Sequence, residues 1–302
     1  MAIVLTLVGV VYFGQKKEPA KGQPLTGLKT EAIDKITLHH PNMADIVLEK
    51  KAGEWALTAP VQVAADPYEL NSLLGMADAE TKASIEPKDV KLADLGLEPP
   101  GLSLTLDQVK IDFGGVEPLS FRRYVETGGK ISLIDDPPAS ALDADYSDLV
   151  AKYLLPRGAE ISSIAVPGLK VTRSADGKAW TADPADPAAG SDELQKFADA
   201  WTNARALWNA APPADAKPPT NPEAALITLK DGSSLSFNIV GRDPQLVLER
   251  ADLKVQYDLA KSDADKLLKL PQAAVPPATE QKAPVGPDKQ VQTVPVPAAV
   301  AK

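Results

Sequence analysis

An α+β fold of two tandem related units, each an antiparallel sheet with helices on one face, is what this 302-residue sequence predicts. Three observations carry it. First, one pattern occurs twice: residues 53–74 read GEWALTAPVQVAADPYELNSLL and residues 177–201 read GKAWTADPADPAAGSDELQKFADAW. In each, a glycine and a proline stand seven residues apart, Gly53 with Pro60 and Gly177 with Pro184, although the tryptophan between them shifts by one place. Second, runs of period-two alternation, punctuated by Gly, Asn and Asp-Gly, surround both copies, the signature of strands joined by tight turns. Third, the length is enough for two ordinary cores, with a seam near Pro156.

Composition narrows the function classes. A formal charge of −9, with no basic stripe, argues against a general nucleic-acid surface, because neutralising phosphates needs clustered Lys and Arg. The absence of cysteine excludes disulfides, thiolate catalysis, Cys-based zinc sites and a lipidated N-terminal cysteine, while leaving the compartment open.

Residues 2–14, AIVLTLVGVVYFG, form an uncharged apolar run followed by Gln15, Lys16 and Lys17. As helix, such a run rises about 20 Å, short of the ~30 Å hydrocarbon core. It reads as an uncleaved membrane anchor over residues 1–17, shortened here, or as a signal-peptide core. No small-x-small cleavage site follows closely, which favours the anchor; a buried N-terminal strand is the third reading. Lys16, Lys17 and Lys21 on the far flank would leave the body in the cytoplasm by the positive-inside rule. That rule compares two flanks, and Met1 alone stands on the other. Residues 18–29 read as a polar linker.

The first unit, residues 30–156, opens with strands over 33–38 and 46–48, and Gly53 turns the chain into the Trp55 strand. Asp66 caps a helix with Pro67 at its first position and Glu69 completing a capping box. Leu70, Leu73, Leu74 and Ala77 share its apolar face. A helical turn over 92–97 is stopped by Gly96 and Pro99-Pro100. Strands follow at 102–106 and 109–113, broken by Gly114-Gly115, then at 119–125 and 131–134 around Thr127-Gly128-Gly129-Lys130, before a closing helix over 146–155.

The second unit, residues 157–271, repeats the plan. Strands at 161–166 and 169–172 precede the Asp176-Gly177 turn and Trp180. Ser191 caps a helix whose seam is Leu194, Phe197, Trp201, Ala204 and Trp208. A Pro-rich loop over 212–222 leads to a four-strand meander at 226–229, 235–239, 245–249 and 255–259 and a last helix over 263–270. Residues 272–302, rich in Pro and Ala and without periodicity, read as a disordered tail of polyproline II character.

Taken in order, GEWALTAPVQVAADPYELNSLL, LADLGLEPP, LSLTLDQVKIDFGG and YVETGGKISLID resemble the bacterial domain of unknown function numbered 4340, over residues 33–156, with the second half a degenerate relative. The order of the blocks is the specific part. The resemblance implies a single-pass protein of the inner membrane, its body in the periplasm, some relatives being encoded with gliding-motility-type ABC transporter components. It supplies no catalytic residues.

The remaining constellations are bland. His39 and His40 are the only histidines, and neighbours on a strand point to opposite faces, so they do not close on one metal. Asp135-Asp136 and Arg122-Arg123 are separated in the same way and read as charged strand edges. Asp143, Asp145, Ser147 and Asp148 lack the Gly and Glu of a calcium loop, Asp148 and Leu154 standing in their places, and read as helix-capping acids. No nucleophile elbow or phosphate loop is present. Trp55, Trp180, Trp201 and Trp208 are core residues or, alternatively, one of them lines a groove between the units for a lipid, peptide or partner helix. The expectation is a non-enzymatic, membrane-anchored accessory or scaffold protein without metal or cofactor, held in the membrane through residues 2–14. Its partners by resemblance are ABC transporter subunits, and no nucleic acid is among them. The alternative is a binding protein holding a lipid, peptide or other apolar ligand between its units.

Overall fold

A computed structural model describes residues 22–137, 142–213, 215 and 222–271. The expected anchor, the linker as far as Lys21, most of the Pro-rich loop and the tail lie outside the described residues. The chain folds mostly as antiparallel sheet. Among the described residues the helices α1 (Pro67–Gly75), α2 (Ser191–Thr202) and α3 (Asp263–Leu268) are short. Among the described residues no helix is long and apolar enough to cross a membrane.

The first sheet contains β1 (Lys35–His39), β2 (Ile46–Lys51), β3 (Glu54–Ala59), β4 (Val63–Ala64), β5 (Thr81–Ile85), β6 (Leu102–Leu106), β7 (Val109–Val116), β8 (Arg122–Thr127) and β9 (Lys130–Asp135). Their order is β4-β3-β2-β1-β6-β7-β8-β9-β5. The second contains β10 (Ile161–Val166), β11 (Leu169–Arg173), β12 (Trp180–Asp183), β13 (Trp208–Ala210), β14 (Ala224–Leu229), β15 (Ser234–Gly241), β16 (Leu246–Arg250) and β17 (Val255–Leu259). Its order is β12-β11-β10-β14-β15-β16-β17-β13.

Apart from the added edge strand β4, the two orders are the same strand for strand. In each sheet a three-strand meander leads through a helix to a strand on the far edge, and the chain returns beside the first strand for a four-strand meander. The prolines paired in the sequence correspond too, since Ala59-Pro60 and Asp183-Pro184 are both cis.

Alternation places the core. Ile36 and Leu38, Leu102, Leu104 and Leu106, Ala225 and Ile227, and Val255, Tyr257 and Leu259 are all buried, as period two requires of a sheet with one face covered. Leu194, Phe197 and Trp201 of α2 are buried in the same cluster, which runs continuously through both sheets.

Several boundaries differ from expectation for local reasons. Residues 146–155 are a turn and an extended segment rather than a helix. The Asp145 carboxylate accepts from the Ser147 N–H (2.6 Å) and hydroxyl, and Asp148 accepts from the Asp145 N–H (2.9 Å), local bonds that compete with helix nucleation. Gly114 and Gly115 do not break β7 but lie inside it, at a register shift. A Cβ on Gly114 would stand 2.3 Å from the Leu95 carbonyl oxygen, so glycine is what lets the 3-10 turn Leu92–Leu95 lie against the strand. Residues 119–121 are loop, not strand. Gly190, not Ser191, is the cap of α2, and the helix ends at Thr202, which removes Trp208 from its seam to β13.

The linker expected over 18–29 is, from Gln23 onward, part of the first unit. The Leu25 N–H donates to Ala79 (2.7 Å), the Thr81 N–H donates to Gln23 (2.9 Å), and Leu25 and Thr26 are buried. The second unit is entered in the same way, with Leu154 donating to Ala204 (3.2 Å) and Ala206 to Lys152 (2.8 Å).

Candidate functional site

The polar groups most unusual in their burial meet where the two units join. Residues 145–155 leave the first sheet and are bonded on both sides. Toward the first unit, the Ala151 N–H donates to Ala64 (2.9 Å) and the Leu149 carbonyl accepts from Asp66 (2.7 Å). Toward the second, the Val150 carbonyl accepts from the Asn209 side-chain amide (2.8 Å), and the Tyr146 hydroxyl donates to the Lys254 carbonyl (2.6 Å). Tyr153 and Arg205 form an isolated bridge, with the guanidinium 5.6 Å from the ring centre.

Lys152 lies on this segment, largely buried, 3.6 Å from Asp66 and 4.0 Å from Glu69. Asp66 caps α1 as expected, accepting from the N–H groups of Tyr68 (2.9 Å) and Glu69 (3.3 Å). The expected capping box is not formed, because the Asp66 N–H is committed to Leu149 and the Glu69 side chain turns to Lys152. Glu69 Oε2 is buried without a hydrogen-bond partner. Burial pushes the Glu69 carboxyl above its usual range, opposed by Lys152 and reinforced by Asp66 and Asp148. Asp148 is raised chiefly by burial as well. One ammonium thus serves three carboxylates at the joint. The arrangement holds the segment against the start of α1.

The four tryptophans are not brought to one place. Trp201 is fully buried on α2, its indole N–H donating to the Leu267 carbonyl (2.9 Å) and its ring 5.9 Å from Phe237, so it fills the core of the second unit and faces no groove. Trp180 is buried on β12, bonded to Gln195 (2.9 Å), with Arg173 over its ring. Trp55 is half-buried on β3 of the other sheet. Trp208 is 45 % exposed on the edge strand β13, opposite Asp258 of β17.

A cleft of about 530 Å³ is lined entirely by the second unit, including Glu223, Arg242, Lys261, Asp265 and Lys269. Its charges pair: Arg242 with Glu223 (2.5 Å), Lys269 with Asp265 (2.8 Å) and Lys261 with Asp243. His39 bonds Asp45 (2.6 Å) and His40 bonds the Leu142 carbonyl (2.8 Å), so the two rings are committed apart. Among the described residues no group of three or more His, Asp or Glu is placed to hold a metal ion.

A family model described as Domain of unknown function (DUF4340) matches residues 55–237, more than half of the chain. The chain belongs to this family. The match runs from β3 of the first sheet to β15 of the second, so the DUF4340 unit is not the first half alone but spans both sheets and the joint between them. No curated protein and no solved structure matches the chain.

Sequence reasoning missed the joint. Lys152 stands more than eighty residues from Asp66 and Glu69, and no local spacing signals those pairings.

Proposed function

We propose that this DUF4340 protein is a non-catalytic scaffold of the cell envelope, tethered through residues 2–14, with its body on the periplasmic side and ABC-type transporter subunits as partners. The observation that carries the reading is the joint. Its segment, pinned to the first unit by the Lys152–Asp66 pair and hydrogen-bonded to the second through Leu154, Lys152 and Val150, joins two duplicated sheets in one core, which suits a platform holding partners in fixed relation. The apolar run supplies the tether, and the resemblance supplies the partner class.

Protease accessibility in spheroplasts, using the full chain with a C-terminal tag, tests the placement, and purification from detergent-solubilised membranes tests the partner. The expected result is digestion from outside and recovery of transporter subunits in stoichiometric amount. Protection until lysis would overturn the placement, and recovery of the chain without transporter subunits would overturn the partnership.

A further inference from the structure

One end of the first sheet gathers its exposed apolar side chains. The pairs Leu38 with Ile46, Leu102 with Phe113, Val116 with Arg123, Arg122 with Asp135 and Thr81 with Ile134 place three features at that end: the β1–β2 turn, the β7–β8 connection and the start of β5. Among the described residues of the first unit, six large apolar side chains are exposed, and four of them lie on or directly beside the first two of these features: Met43 (53 %), Val116 (41 %), Leu119 (90 %) and Phe121 (73 %).

The β7–β8 connection is held in shape. The Glu117 carboxylate accepts from the N–H groups of Leu119 (2.9 Å) and Ser120 (2.7 Å), and Phe121 donates to the Glu117 carbonyl (2.9 Å). Phe121 adopts a φ of +56°, a left-handed conformation that a bulky residue rarely takes and that turns its ring outward, 73 % exposed. In the second unit the equivalent β15–β16 connection carries Arg242, Asp243 and Gln245 instead.

The chain's N-terminal segment joins at the same end. The Gly22 N–H donates to Glu80 (2.6 Å) and Pro24 bridges Glu80, immediately before β5. Seven residues, 15–21, separate Gly22 from the apolar run, a reach of at most about 25 Å. The start of β5 lies two strands from β8, roughly 10 Å.

We propose that residues 116–121 form a second membrane contact, with Leu119 and Phe121 seated in the interfacial region of the lipid bilayer. This rests on the tethered reading above: a run embedded in lipid holds this end of the sheet within reach of the surface. The contact is apolar rather than electrostatic. The cations beside it are paired, Lys82 with Glu80 (2.7 Å) and Asp135 (3.1 Å), Arg122 with Asp135 (3.6 Å) and Arg123 with Asp136 (2.5 Å).

The chain has no cysteine, so a single one can be placed and labelled. The test is an environment-sensitive fluorophore on Leu119→Cys of the full chain, with Gln245→Cys as control, on vesicles of phosphatidylcholine alone or with phosphatidylglycerol, after circular dichroism confirms the fold. The expected result is flotation with both vesicles, with blue-shifted emission and quenching by brominated lipid at position 119 alone. Flotation with position 119 remaining in water would overturn the contact and leave the tether standing. Failure to float would overturn the tether and the contact with it.

Discussion

Burying Glu69 beside Lys152 sets a sign for pH dependence. Its carboxyl is raised, chiefly by burial, so the folded state holds this proton more tightly than the unfolded chain does. The contribution of this group to stability is therefore greatest at low pH and is lost as pH rises through the ordinary carboxylate range toward the folded value. Glu69→Gln is expected to be more stable than the parent at neutral pH, with the difference closing below the ordinary glutamate value of about 4.3; urea midpoints at the two pH values check it. Lys152→Met leaves the 2 %-exposed Asp66 without its cation and should cost about 1–3 kcal/mol at neutral pH, part of it recovered when Glu69→Gln is added. Trp201 gives a larger effect for a different reason. Its ring is enclosed, so Trp201→Ala is expected to cost about 3–5 kcal/mol by chemical denaturation, whereas Trp208→Ala, on an exposed edge, should cost far less.

At the scale of elements, what could be read in advance was what depends on neighbours in sequence. The meander strands carry their burial in period two, Asp66 caps the helix that follows it, and Gly128 and Gly129, at φ +57° and +78°, make the predicted hairpin turn. The edge strands β5 and β13 escaped notice because their partners, β9 and β17, lie about fifty residues downstream and their own patterns are short. The expected helix over 146–155 failed for both reasons together: the Asp145–Ser147 turn opposes nucleation, and distant strands supply better partners for the backbone. Residue type alone does not say which sheet a ring belongs to: Trp55 lies on the first sheet, Trp180 and Trp208 on opposite edges of the second. One element offers a sharp test. Gly114→Ala drives a methyl group against the Leu95 carbonyl and Leu97, and is expected to cost about 1–3 kcal/mol; Gly128→Ala, with open space around it, meets only its backbone preference and should cost about 1 kcal/mol, both read from thermal unfolding.

For the whole molecule, duplication accounts for the shared strand order and divergence for the differences: an extra edge strand on the first sheet, an apolar connection there, and a polar one in the same place on the second. The two copies are not beads on a string. The segment between them is hydrogen-bonded to both, its Leu149, Val150 and Leu154 are buried in the common core, and the family match crosses it. The scaffold role proposed above would require this rigidity. Native-state hydrogen exchange tests it most directly, comparing the slowest amides of β6 and β14 in the parent and in Lys152→Met. If the sheets are one body, both sets exchange with the same opening free energy and both fall by the same amount in the variant. Different opening free energies in the parent, or a fall confined to one sheet, would contradict the account.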